Sequence, residues 1–469
     1  MSLVFYDTET TGTETFFDQI LQFAAIKTDT QFKEIDRLEI RCRLLPHVVP
    51  APGAMTVTGI KVSQLTDPSC PSHYEMVRAI SAKLLSWSPA LFIGWNSIDF
   101  DEHLVRQALY KTLHNPYLTN RDGNTRSDAM RILQACSIFA PKALSFPTGD
   151  NGQKVFKLDR IAPANGFTLG SAHDAMGDVE ATLFLCRILM EKAPDVWSSF
   201  MRFSTKAGVV DYINEERVFC LSDFYYGKPY SYLVTTIGQN EENQAEWYVY
   251  DLNVNPDLLL PLSEKALIAR LGQSPKPVRR LKSNAAPMIC PTEDAPIICK
   301  GRHLDAEELE RRTVALQEDK SLRERLISAF EASKEKYPPS PHIEKQIYDG
   351  FPGEADVNLM DAFHETTWDK RHKIVEKFKD PRLRVIGKQL IHLERPEFLS
   401  ISARQEHDVA VAKRLLGHGE DVLWLTLPEA LKELGEMSAN ASGAKSKFLK
   451  EHEQYLQKRH KQALALCKT

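Results

Sequence analysis

None of the eight cysteines is spaced C-x-x-C from another, and several fall inside apolar periodic segments. This excludes a cysteine zinc site or a disulfide framework and indicates reduced, mostly buried thiols in a cytosolic protein. No apolar run approaches the ~20 residues that a membrane-spanning helix needs. The amino-terminal end lacks the basic start and apolar core of a secretory signal, so none is indicated. There is no excess of positive charge either: the formal net charge is -4 over 469 residues, so any attraction for a polyanion has to come from local patches. Internal repeats and low-complexity tracts are absent. What remains, 43% hydrophobic and 26% charged residues, describes an ordinary globular chain. Its length suggests about three domains of roughly 150 residues each.

Three strands are expected first, at Leu3–Tyr6, Ile20–Ile26 and the alternating Leu38–Leu44. Their short connections favour an antiparallel meander. Residues 48–67, with Pro50, Pro52, Gly53 and Gly59, read as loop. An amphipathic helix follows over about 72–88, then a buried strand at Leu91–Asn96 that leads to Asp101 at the start of another helix. Ser127 is the expected cap of a helix reaching about Phe139. A long helix opens near Ser171–Asp178, with Val179, Leu183, Cys186 and Leu189 facing its core. From Val209 the period shifts toward two, and Tyr230–Ile237 and Glu246–Leu252 flank the polar turn Gly238–Ala245, a hairpin signal. Pro275–Pro296 reads as extended and carries Lys276, Arg279, Arg280 and Lys282. Helices at Glu307–Leu316 and Leu322–Lys334, the second with a Ser321/Glu324 capping box, precede a charged helical tail from about residue 341. Its run Lys370-Arg371-His372-Lys373 is expected on a solvated helix face.

The chemistry starts in Val4-Phe5-Tyr6-Asp7-Thr8-Glu9-Thr10-Thr11-Gly12. A strand puts residues i and i+2 on one face, so Asp7 and Glu9 point the same way and Thr8 the other. Two parallel carboxylates repel unless a cation lies between them, and hard oxygen donors suit Mg²⁺ or Mn²⁺. Each further acid has a plain structural reading: Asp101 as a helix cap, Asp178 as a first-turn acid favoured by the helix dipole, His173 as a surface histidine. Together they form a more specific set.

Asp7-Thr8-Glu9-Thr10-Thr11-Gly12, Asn96-Ser97-Ile98-Asp99-Phe100-Asp101 and His173-Asp174-Ala175-Met176-Gly177-Asp178 resemble, in order and spacing, the motifs of the DEDDh exonucleases. That resemblance implies a ribonuclease-H-like α/β domain over 1–193. Over nearly its full length the chain is similar to the exodeoxyribonuclease I family, single-strand-specific 3′→5′ exonucleases. Supporting stretches include Gln22–Ile26, Pro52–Ile60, Asn115-Pro116-Tyr117 and Ile347–Phe351. The similarity implies an SH3-like β-containing domain with appended helices over 198–340 and a helical C-terminal domain over 341–469. The expected activity is hydrolysis of single-stranded DNA to 5′-mononucleotides, in DNA repair and recombination, with two Mg²⁺ ions that Mn²⁺ can replace.

In that scheme Asp7, Glu9 and Asp178 hold one ion, Asp7 bridges to a second with Asp101 as its outer ligand, and His173 takes the proton of the attacking water. Substrate contacts are expected from Glu9, Thr10, Gly12, Asn96, Arg126, Arg131 and Lys157, and from Met55 wedged against the terminal base or, equally, packed in the core. Tyr117 and Trp95 are candidates for base stacking, Trp95 more readily as core. Thr8 stands where another member of that family has tyrosine, and Lys157 where an arginine is expected, keeping charge but losing a bidentate fork. The resemblance also implies a monomer that binds the acidic tail of single-stranded-DNA-binding protein, with Lys276–Lys282 as candidate site. Rival readings are an exonuclease acting on RNA or proofreading a polymerase, and a repair scaffold with an inert site.

Overall fold

The computed structural model describes residues 2–168, 174–299, 304–335, 338–419, 421–439 and 441–468. Its first strand is the axis of the amino-terminal sheet. β1 (Ser2–Thr10), β2 (Ile20–Thr28) and β3 (Glu34–Arg41) form the antiparallel meander, while β4 (Ala90–Gly94) and β5 (Thr125–Asp128) extend the sheet in parallel on the other side. The order is β3-β2-β1-β4-β5. Helices α1 (Pro52–Thr58), α2 (Val62–Leu65) and α3 (His73–Trp87) lie between β3 and β4, and α4 (Asp101–Lys111) joins β4 to β5. Then come α5 (Ala129–Phe139), α6 (Leu158–Ala164) and α7 (Ala175–Lys192).

β1 is apolar at consecutive positions because helices cover both faces of the sheet. Leu3 and Phe5 pack with Ile26 against α5, α6 and α7; Val4 and Tyr6 pack with Phe23 against α3 and α4. The stretch 48–67 is not loop. Pro52 sits in the first turn of α1, where its missing N–H is not needed, and Gly59 ends that helix at φ 68°. α5 is capped by Asp128, which accepts from the Met130 N–H at 3.0 Å, one residue beyond the expected Ser127. Ser127 belongs instead to β5, a strand too short to show a period.

α8 (Pro194–Phe203) and α9 (Lys206–Glu215) carry helix further than the expected change of period at Val209. A second, antiparallel sheet follows: β6 (Phe219–Tyr225), β7 (Lys228–Gln239), β8 (Glu246–Asp251), β9 (Val278–Lys282) and β10 (Met288–Cys290), in the order β10-β6-β7-β8-β9. α10 (Glu264–Leu271), α11 (Ala295–Ile298), α12 (Ala306–Glu318) and α13 (Lys320–Ala332) accompany it. The cap of α13 is Asp319, accepting from the Leu322 N–H, not the Ser321 box.

The carboxyl-terminal part comprises α14 (Glu354–Glu365), α15 (Arg371–Val375), α16 (Pro381–Glu394), α17 (Ile401–Leu416), α18 (Leu427–Ser438) and α19 (Gly443–Leu466). It docks on the amino-terminal unit through apolar clusters, two of which are large. One joins Tyr74, Tyr110 and Leu113 to Ile347, Phe363 and Leu383; the other joins Val49 to Leu415, Leu434 and Leu449. Arg371 departs from the expected solvated face: it is 3% exposed, donates to the Tyr74 hydroxyl at 2.8 Å and stacks over Trp368. Among the described residues no helix is long and apolar enough to cross a membrane.

Candidate active site

β1 carries the site at its carboxyl end, beyond the reach of its parallel partner. Pairing with β4 runs from Ser2 to Phe5, so Asp7 and Glu9 project where β4 has already turned away. On the other edge Asp7 lies opposite Ala24 and Glu9 opposite Gln22. The turn after β4 is tight. A Cβ on Gly94 would lie 2.5 Å from the Ser97 Cβ and 2.9 Å from the Tyr6 carbonyl oxygen, so only glycine allows the chain to turn so close to β1. Asp128 fixes the same turn, accepting from the Asn96 N–H at 3.1 Å and the Ile98 N–H at 3.2 Å.

Asp178, in the first turn of α7, comes down on β1 beside the two strand acids. Ligand oxygens of Asp7, Glu9 and Asp178 all lie within 4.8 Å of one another. Asp101, at the start of α4, is 3% exposed and turned toward Thr8, whose N–H and hydroxyl donate to its Oδ1 at 3.1 and 2.5 Å. Thr8 therefore does not simply point away from the acids; it holds the fourth of them. Asp174, just ahead of α7, is a fifth carboxylate nearby, and it is tied off by Arg41 at 2.7 Å and by the Gln22 amide at 2.9 Å.

The electrostatics follow from burial and crowding. Burial first, then Asp101, Asp178 and Glu9, push Asp7 well above the usual carboxylate range. Burial and the Asp178 charge raise Glu9 to about 8. Burial raises Asp101 to about 7, against the lowering effect of its bond from Thr8. Carboxylates this close, without a cation among them, hold protons that a divalent ion would displace. The donor set, three carboxylates with a fourth alongside, fits hard divalent ions.

Other sequence expectations resolve one by one. His173 lies outside the described residues. Thr10 is buried and its hydroxyl donates to the Gly12 carbonyl at 2.7 Å. Gly12 is crowded by Asp18, whose Oδ2 would lie 2.5 Å from an added Cβ. Met55 is 1% exposed and packs with Leu21, Ile60 and Leu65. The base-wedge expectation is thus corrected: α1 turns this methionine into the core. Trp95 is half-buried just past β4, its ring N–H donating to the Phe156 carbonyl at 3.3 Å, and Tyr117 packs on Phe351 and Arg106. Asn96 takes φ 57° in the turn, and Lys157 is exposed ahead of α6. Arg126 is paired with Glu102 at 2.9 Å, and Arg131 with Asp99 at 2.9 Å. Both arginines line a cavity of about 820 Å³ with Arg280, Lys282 and Tyr225 of the second sheet and Tyr348.

Sequence reasoning passed over Glu102. It is 1% exposed and accepts from Arg106, Arg126, the Thr119 hydroxyl and the Tyr6 hydroxyl. The only signal was an acid following another at a helix start.

Known proteins share this fold. A family model described as Exonuclease matches residues 4–185, and one described as Exonuclease I C-terminal domain matches residues 341–459. Exodeoxyribonuclease I of Escherichia coli is 27% identical over 396 residues, 78% of this chain and 79% of the relative. That of Haemophilus influenzae is 26% identical over 424 residues, covering 86% and 88%. The crystal structure of E. coli exonuclease I with a dA16 oligonucleotide superposes with a TM-score of 0.84 at 23% identity, over 98% of this chain and 99% of that one. A zinc-bound form of the E. coli exonuclease–single-stranded DNA complex gives 0.83 at 22% identity, over the same 98% and 99%.

Proposed function

The chain belongs to the exodeoxyribonuclease I family, and we infer that it is a 3′→5′ exonuclease that degrades single-stranded DNA to 5′-mononucleotides. The observation that carries the reading is the convergence of Asp7, Glu9 and Asp178 within 4.8 Å at the end of β1, with Asp101 held beside them by Thr8. The cluster calls for a divalent metal; we propose two Mg²⁺ ions, with Mn²⁺ as a substitute. Asp7, Glu9 and Asp178 would hold one, and Asp7 and Asp101 the second. Bound there, such ions neutralise charge on the scissile phosphate and lower the pKa of the attacking water.

The remaining steps fall to the chain. His173, five residues before Asp178, is proposed as the base that takes the water's proton, a task suited to an imidazole near neutral pH. Backbone groups of Thr10–Gly12, beside Glu9, would seat the 3′-terminal nucleotide. Asn96, Arg126, Arg131 and Lys157 would guide the phosphates behind it. Arg126 and Arg131 support this by lining the large cavity between the two sheets. We further propose domains over 1–193, 198–340 and 341–469, the middle one SH3-like, in a cytoplasmic monomer serving DNA repair. The acidic tail of single-stranded-DNA-binding protein is the proposed partner of Lys276, Arg280 and Lys282. Arg279 contributes less, because it stacks 3.3 Å from the Tyr232 ring and pairs with Asp251.

Mass analysis of products from unblocked and 3′-blocked single-stranded oligonucleotides tests polarity, substrate and product together. Mononucleotides from the unblocked strand alone are expected. Release from the blocked strand, or faster release from RNA, overturns the assignment.

A further inference from the structure

The second sheet contains a group of thiols that the nuclease reaction does not use. Cys220 on β6 and Cys290 on β10 are direct partners across the antiparallel pair. Direct partners have Cα atoms about 4.5–5.5 Å apart and side chains on the same face. A disulfide spans Cα separations of about 4.4–6.8 Å, so this pair is already within bonding geometry. Cys299, just past α11, lies on the same side, and the Cys220 thiol shares hydrogen bonds with both Cys290 and Cys299. Cys220 and Cys299 are buried, whereas Cys290 is half-exposed and lines a cavity of about 700 Å³.

We propose that Cys220 and Cys290 form an oxidation site, in which a small hydroperoxide converts the pair to a cross-strand disulfide. The steps balance. The Cys290 sulfur attacks the peroxide oxygen, is oxidised to the sulfenic acid, and the O–O bond breaks with release of water (an alcohol for an organic peroxide). The Cys220 sulfur then attacks the Cys290 sulfur, the S–O bond breaks, and the hydroxyl leaves as water with the Cys220 proton. Division of labour follows from access: Cys290 meets solvent and Cys220 resolves from within. The hydrogen bond with Cys290 raises the pKa of Cys220, the one with Cys299 works against it, and burial adds to the rise; Cys220 therefore stays protonated until its partner is oxidised.

The bond would tie down more than a strand edge. β10 is a short outer strand, and the turn before it supplies the Asn284 and Ala285 carbonyls that accept from Arg126 and Arg131. Oxidation would lock that turn against the nuclease unit.

The test treats the full-length protein with hydrogen peroxide, blocks free thiols with an alkylating agent and maps peptides without reduction. A Cys220–Cys290 cross-linked peptide is expected, reversed by dithiothreitol and absent in both Cys290→Ser and Cys220→Ser. Hydrogen exchange over 284–290 should slow in the oxidised protein. Circular dichroism confirms that the serine variants fold; if either fails, quantifying the cross-link in the wild type against dose still decides. Recovery of Cys290 as a sulfinic acid without a cross-link, or of a Cys220–Cys299 bond, overturns the proposal.

Discussion

Glu9→Gln separates what the acidic cluster does for chemistry from what it costs the fold. Burial and Asp178 raise Glu9 from 4.5 to about 8. A carboxyl raised in the folded state leaves stability intact below the unfolded value, and stability is lost as pH rises toward the folded one. Between pH 6 and 8 the metal-free wild type should therefore lose about 2 pH units' worth, or about 3 kcal/mol, through this one group. Glutamine keeps the shape, cannot ionise and relieves its neighbours Asp7 and Asp178. The variant should thus be more stable than wild type in EDTA, by a margin that widens by about 3 kcal/mol across that window. Native-state hydrogen exchange of β1 amides reads the stability of this sheet directly. Saturating Mg²⁺ should narrow that margin, because a ligand at a hundred times its Kd stabilises by about 2.7 kcal/mol and the variant binds it poorly. Nucleotide release from single-stranded DNA should fall to background. A margin that is flat with pH, or a variant less stable than wild type in EDTA at pH 8, would refute the electrostatic account.

Other outcomes are expected from the same geometry. Asp7→Ala should abolish metal-dependent nucleotide release while filter-binding affinity for single-stranded DNA persists. Thr8→Val keeps the backbone bond to Asp101 but removes the hydroxyl that lowers its pKa; proton competition with the metal should strengthen, so more Mg²⁺ should be needed for half-maximal nucleotide release. Gly94→Ala forces a Cβ to within 2.5 Å of Ser97 and should cost about 1–3 kcal/mol in urea unfolding. EDTA should stop product release in a continuous fluorescence assay, and excess Mg²⁺ or Mn²⁺ should restore it.

How much of this could be read beforehand divides along physical lines. β1, β2, β3 and β4 announce themselves through apolar runs or alternation, and the acids stand at the end of β1 and at the helix start that follows β4. That is local information. α1 escaped because its proline and glycines read as breakers, whereas Pro52 begins the helix and Gly59 ends it. Asp128 was passed over for Ser127 because both residue types cap helices, and which one does depends on where β5 stops. Thr8 looked like the idle face of a strand; its role arises only when Asp101, 93 residues away, is folded against it. Arg371 looked like one charge in a run, and only the packing of α15 on Tyr74 and Trp368 buries it. Met55 had two readings of equal weight until α1 placed it inside.

Glu102 has a consequence that outgrows its own helix. Arg126 spans from this carboxylate to the Asn284 carbonyl of the second sheet, and Arg106 from it to the Tyr348 hydroxyl near the carboxyl-terminal helices. The next residue back along the chain is Asp101. One side chain therefore links both outer units, a single peptide bond from Asp101. A displacement of either unit reaches the same carboxylate, next in the chain to a member of the acidic cluster.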